Sequence, residues 1–236
     1  VDGFENAYLA ENRMSSVNAA EQHEYYVRYM KPLLKAISDI VGSNNDKRLE
    51  LTDYMMAKHG LERNVVMAQR DFDAYQQKYP NGTKTLVDFR ERDYAGLTAL
   101  TGEDDVAMAE LAAQQMVDTY EQDHDTSELW QLVNDATSAT LAKIYNSGLL
   151  SKERYEQIQK MFEYYIPLQG WDETTSDEVY GYLTSKNGPL GGSPIKHAKG
   201  RSSKADDPIA TIALMADDAI RQGNRNMMKQ TFLNFV

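Results

Sequence analysis

Apolar residues along this chain recur at the three- and four-residue spacing of an α-helix, and no stretch alternates convincingly with period 2. Val17, Tyr25, Tyr29, Leu33 and Ile37 fall near one face of a helix predicted over 18–40. Asn18 with Glu21 three residues on reads as its capping box, Pro32 as a bend and Gly42 as its end. Asp46 opens a second helix to His59, a third spans 61–79, and Pro80-Asn81-Gly82 stops it. Glycine inside a helix costs about 1 kcal/mol relative to alanine. A break is therefore expected at Gly60.

Residues 83–100 read as irregular, with Asp93-Tyr94-Ala95-Gly96-Leu97-Thr98 as a turn. Thr101, with Asp104 three residues later, caps a helix striped by Val106, Ala109, Ala113, Val117 and Tyr120. The next helix, over 127–146, carries Leu129, Val133, Ala136, Thr140 and Ile144, and Gly148 ends it. Ser151 caps a short helix to about Phe162. From 164 to 206 the pattern lapses around Pro167, Pro189, Pro194 and a Gly-rich centre, with one short helix predicted over 176–183 behind a Thr175/Glu178 box. Asp207-Pro208 marks the last helix: the aspartate caps, and proline takes a position whose N–H would have no partner. Ile209, Ile212, Ala216, Ile220, Gly223 and Met227 share its face. The fold class is all-α, an irregular multi-helix bundle with a long Pro/Gly-containing loop before the last helix. A helical body (1–163), an irregular basic loop region (164–206) and a C-terminal helix packed on the body (207–236) make one domain.

The chain of 236 residues is long enough to bury a sizeable core, and 42% hydrophobic with 26% charged residues is a globular composition. A formal net charge of −11 argues against a surface basic throughout that wraps duplex DNA. No apolar run approaches the roughly 20 residues of a membrane span, so no membrane partner is expected. Having no cysteine, the chain forms no disulfide, thiolate zinc site or cysteine nucleophile. It starts at Val1 and stops at Phe235-Val236 inside an apolar helical pattern, as expected of a piece of a longer polypeptide.

Candidate chemistry is sparse. His23-Glu24 begins like a metalloprotease helix, but the second histidine would fall at Val27. Asp123-His124-Asp125 are consecutive and do not converge from one helix face, so no metal or other cofactor is expected. Gly200-Arg201-Ser202 lacks the glycine of a P-loop, whose place Ile195 holds. Lys186, Lys196, Lys199, Arg201 and Lys204 come with no acidic residue among them. Of these, Lys196, Lys199, Arg201 and Lys204 are the candidate contacts to nucleic-acid phosphates. His59, Glu62, Arg63 and Asn64 form the sharpest polar cluster, read as a buried structural network in which Glu62 pairs with Arg201. The alternative is a small hydrolase using His59 and Glu62 as an acid–base pair.

Several strings form a pattern in order: Lys58-His59-Gly60-Leu61-Glu62-Arg63-Asn64, Gly96-Leu97-Thr98, Gly148-Leu149-Leu150-Ser151, Tyr165-Ile166-Pro167-Leu168, Lys199-Gly200-Arg201-Ser202-Ser203 and Gly223-Asn224-Arg225-Asn226. Together, over about 45–236, they resemble a helical connector region of the large polyvalent proteins of phages and conjugative elements. The segment 171–192 departs from that pattern. The resemblance implies a non-catalytic link between enzymatic domains, often a helicase and an adenine-N6 methylase, in proteins that enter a recipient cell with transferred DNA and protect it from restriction. It implies the neighbouring domains and DNA as partners, and the cytoplasm of a bacterial host or a packaged virion as location. It carries no catalytic residues.

Overall fold

The computed structural model describes residues 7–168 and 204–235, and among them it is all-α, with no strand. In chain order the elements are α1 (Ala7–Tyr25), one π turn (Tyr26–Met30), α2 (Lys31–Val41), α3 (Asn45–Lys78), α4 (Leu86–Arg90), α5 (Leu97–Thr101), α6 (Val106–Asp123), α7 (Ser127–Asn146), α8 (Lys152–Gln159) and α9 (Pro208–Phe235). No helix among the described residues is long and apolar enough to cross a membrane. The short helix predicted over 176–183 lies outside the described residues.

The helix predicted from Asn18 is already helical at Ala7. Asn18 is not a cap; its side-chain oxygen accepts from Asn224 Nδ2 of α9 at 2.8 Å. Pro32 is accommodated by the π turn, in which Lys31 N–H donates to Tyr26 O, five residues back. Proline lacks an N–H and its ring crowds the carbonyl four residues earlier, and a wider turn relieves both. The predicted irregular stretch 83–100 contains α4 and α5. Thr101 ends α5 rather than capping α6, and Asp105 caps α6 by accepting from Met108 N–H at 3.0 Å. α8 stops at Gln159, short of Phe162. By contrast α7, its stripe, and the Asp207-Pro208 start of α9 stand where the pattern put them. Asp207 Oδ1 accepts from Ile209 N–H at 2.9 Å.

The expected break at Gly60 is absent. Asn44 caps α3 by accepting from Asp46 N–H at 2.8 Å, and the helix then runs unbroken for 34 residues. It forms the axis of the molecule, with α4, α5 and α6 along one side and α2 and α9 meeting its first half. Leu51, Tyr54, Met55, Met56 and Ala57 of α3 join Leu33, Ala109, Val133, Ile166, Leu168 and Ile212 in the main core. The Pro167 segment therefore belongs to the body. Helix α9 lies between α1 and α7, with Met215 and Ala219 over Leu141 and Ile144. Further along, at Asn224 and Asn226, its contacts with α1 and the end of α7 turn polar. Lys143 Nζ donates to Glu21 Oε2 at 2.6 Å and to Asn224 Oδ1 at 2.8 Å, while Asn226 Nδ2 donates to Ser147 O at 2.8 Å.

A glycine at 60 has a tertiary reason. A Cβ there would stand 2.6 Å from Leu97 Cδ2 and 3.2 Å from Ala95 Cβ. The turn before α5 thus approaches the α3 backbone as closely as a hydrogen side chain permits. Gly60→Ala would gain about 1 kcal/mol of helix propensity. Leu97 is itself buried, and overpacking costs about 1–3 kcal/mol. We expect Gly60→Ala to lower unfolding free energy by about 1 kcal/mol, the opposite of the propensity rule, in a urea titration.

Candidate functional site

About two helical turns of α3, from Lys58 to Asn64, meet two segments that have little regular structure of their own. The first is the 93–98 turn. Asn64 Oδ1 accepts from Tyr94 N–H at 2.9 Å and Ala95 N–H at 3.0 Å. Its amide nitrogen donates, at longer range, to Asp93 Oδ1 (3.5 Å) and Glu110 Oε1 of α6 (3.4 Å). Buried Arg63 donates from Nε to Tyr94 O at 3.3 Å. Within the turn, Asp93 Oδ1 accepts from Gly96 N–H at 2.8 Å and Ala95 N–H at 3.1 Å. Asp93 Oδ2 takes the Thr98 N–H and hydroxyl, each at 2.8 Å. Gly96 sits at φ 81°, a left-handed conformation that favours glycine.

The second segment is 162–168. Glu62 accepts from Glu163 N–H at 2.6 Å with one oxygen and from Tyr164 N–H at 3.0 Å with the other. Both carboxylate oxygens are thus engaged by backbone amides, and Arg201, the partner expected for Glu62, lies outside the described residues. Asn134 Nδ2 of α7 donates to Glu163 O at 3.2 Å, and Ile166 and Leu168 are buried beyond it.

His59 lies beneath this segment with 0% of its surface exposed. The rings of Phe162 and Tyr165 meet it edge-on at centroid distances of 5.0 and 5.6 Å. Neither imidazole nitrogen makes an aligned hydrogen bond. Burial first, and then the neighbouring Arg63 charge, hold its pKa well below the ordinary histidine value, with the Tyr164 backbone weakly opposing. The hydrolase reading fails on this geometry. His59 has no surface from which to meet a substrate, and Glu62 is already engaged.

Next to this patch, on the far side of Lys58, is an open groove of about 710 Å³ between the end of α6 and the start of α7. Sequence reasoning missed its wall, which includes Lys58, Glu121, Thr126 and Trp130 and is braced from behind by the buried Tyr54. Tyr54 hydroxyl donates to Glu121 Oε1 at 2.6 Å, lies 2.9 Å from Thr126 Oγ1 and accepts from Trp130 Nε1 at 2.8 Å. Lys58 Nζ pairs with the same Glu121 carboxylate and sits 4.2 Å from the centre of the Tyr164 ring. Burial pushes the Glu121 carboxyl up, but hydrogen bonds from Lys58 and Tyr54 and the Lys58 charge outweigh it and leave it below its usual range. Burial, with the Glu121 hydrogen bond, raises the Tyr54 phenol. Both groups thus keep fixed protonation states near neutral pH, which suits a wall better than a proton-transfer centre. The four elements contributing these residues share no local spacing that could have revealed them.

Of the remaining candidates, Lys204 Nζ ion-pairs with Asp53 Oδ1 at 2.6 Å, tying the start of α9 to α3. Lys196 and Lys199 lie outside the described residues, as does Arg201. At Asp123-His124-Asp125, His124 Nδ1 is 3.1 Å from Tyr120 O and Asp125 caps Ser127 N–H at 3.0 Å. Among the described residues no three His, Asp or Glu side chains converge as a metal site would require. No family model, curated protein or solved structure matches the chain.

The clamp has a measurable worth. Leaving a buried donor without its acceptor costs about 1–3 kcal/mol, and Asn64→Ala strands the Tyr94 N–H, while Ala95 N–H keeps Asp93 Oδ1. We expect Asn64→Ala to lower unfolding free energy by about 1–3 kcal/mol in chemical denaturation. Asn81→Ala, at an exposed loop position, should stay within about 0.5 kcal/mol of the parent.

Proposed function

We propose that this chain is a non-catalytic helical module of the polyvalent-protein type, linking neighbouring enzymatic domains of a phage or mobile-element polypeptide. The observation that carries the reading is the use made of the His-x-x-Glu-Arg-Asn string. Glu62, Arg63 and Asn64 all bond to the backbone of the two crossing segments, at 163–164 and 94–95, and His59 is sealed under one of them. A motif whose polar atoms are consumed in this way maintains a shape. Two of the strings that carry the resemblance, at 58–64 and 165–168, are in contact through this arrangement, and Asn224 and Asn226 of a third bind α9 to α1 and α7.

Within this reading Lys196, Lys199 and Arg201 make the module's contact with nucleic-acid phosphates, while Lys204 serves the fold through Asp53. The test is fluorescence anisotropy of a labelled duplex titrated with the full chain at increasing salt. Binding should weaken steeply with salt. The triple variant Lys196→Ala, Lys199→Ala, Arg201→Ala should bind less and lower the log–log salt slope by roughly one for each phosphate it leaves without a cation. Equal binding by parent and triple variant contradicts the assigned role of these cations.

A further inference from the structure

The Lys58–Asn64 stretch holds a group that the connector role does not use. His59 is fully enclosed, both ring nitrogens lack an aligned hydrogen bond, and two aromatic rings of the 162–168 segment close over it. Buried polar atoms are almost always paired, and an unpaired imidazole in an aromatic box is an exception that calls for a reason. We propose that His59 is an acid-sensitive latch: the neutral imidazole lets the 162–168 segment sit on α3, and a proton on it drives that segment off.

The surrounding charges favour release. On α3 the flanking groups are Lys58, Glu62 and Arg63. Lys58 is paired with Glu121, and the Glu62 oxygens are held by the Glu163 and Tyr164 amides. From the segment come Glu163, Tyr164 and Tyr165, and from the 93–98 turn comes Asp93, whose oxygens are engaged by Ala95, Gly96 and Thr98. None of these carboxylates hydrogen-bonds the ring, and the charge acting on it is the buried Arg63 guanidinium. An imidazolium there would face like charge in a dry site, whereas lifting the segment gives it water. The interactions released are two amides on Glu62, the Asn134 bond to Glu163 O, the Tyr164 ring on Lys58 and Trp130, and the Ile166 and Leu168 side chains in the main core.

The sign follows from proton uptake. The closed form keeps His59 neutral, while the open form titrates near the ordinary value of about 6.5. Below that pH the open form binds the extra proton and gains population. Between pH 7.5 and 5.5 the opening equilibrium should therefore rise about tenfold.

Amide hydrogen exchange of the full chain, corrected for intrinsic rates, reads this directly. Peptides covering 162–168 should lose protection about tenfold at pH 5.5 relative to 7.5, while the interior of α3 keeps its protection. His59→Leu, of similar bulk and without a proton to gain, should remove the difference. An acid response that persists in His59→Leu, or no response in the parent, overturns the latch. Should His59→Leu fold poorly, NMR titration of the His59 ring in the parent decides instead. A ring that stays neutral until the segment opens supports the proposal. A ring that titrates near 6.5 with the segment still protected refutes it.

Discussion

A backbone N–H buried away from water must find an acceptor, and the 93–98 turn crossing α3 meets that need only in part from within, through Asp93. That constraint organises this molecule. The 93–98 turn and the 162–168 segment lie against α3 without helix or sheet partners at the point of crossing. Glu62 and Asn64 supply the missing acceptors from successive faces of one helical turn. Gly60 on the same turn lets the first segment approach, and His59 fills the space under the second. A 34-residue helix with a polar patch at its midpoint thus serves as the rail on which the loops are registered.

The same requirement limits what the patch can do. Asn64 is committed to the buried Tyr94 and Ala95 amides, and Glu62 to the exposed Glu163 and half-buried Tyr164 amides, so neither is free to move protons for a substrate. The groove beside it follows a similar rule: Trp130, Tyr54, Glu121 and Lys58 bond in a chain that ends in the Glu121–Lys58 ion pair. At the far end of the molecule, Lys143, Glu21, Asn18 and Asn224 join α1 to α9 by hydrogen bonds and one ion pair. Polar networks of this kind contribute modest net stability but define register, since each member penalises displacement of the others. The connector role proposed above would draw on that property.

Where side chains repeat at helical spacing and end at a cap, the sequence was legible. The stripe of α7 from Leu129 to Ile144 and the Asp207-Pro208 start of α9 are local signals, and tertiary structure agrees with them. The misreadings share a cause. Gly60 looked like a helix end because propensity does not register Leu97 and Ala95 lying over it. Asn18 looked like a cap, yet its partner Asn224 is 206 residues away in the chain. The partners of Glu62 among the described residues are two backbone amides, which carry no sequence signature. The His59–Asn64 cluster was recognisable as structural from residue type and spacing. What it holds was not, because the recipients are main-chain atoms. The Tyr54–Trp130 wall stayed hidden for a related reason, being assembled from residues far apart in sequence.

The central claim is that Asn64 and Glu62 of α3 supply the acceptors that the crossing backbone does not find within its own segments. Native-state hydrogen exchange at neutral pH tests it at the amides of Tyr94, Ala95 and Tyr164. The account predicts that these three exchange as slowly as amides in the middle of α3, and that the amide of Tyr94 becomes fast when Asn64 is replaced by alanine while that of Ala95 stays protected by Asp93. Exchange in the parent at the rate of the exposed 81–84 loop would contradict it.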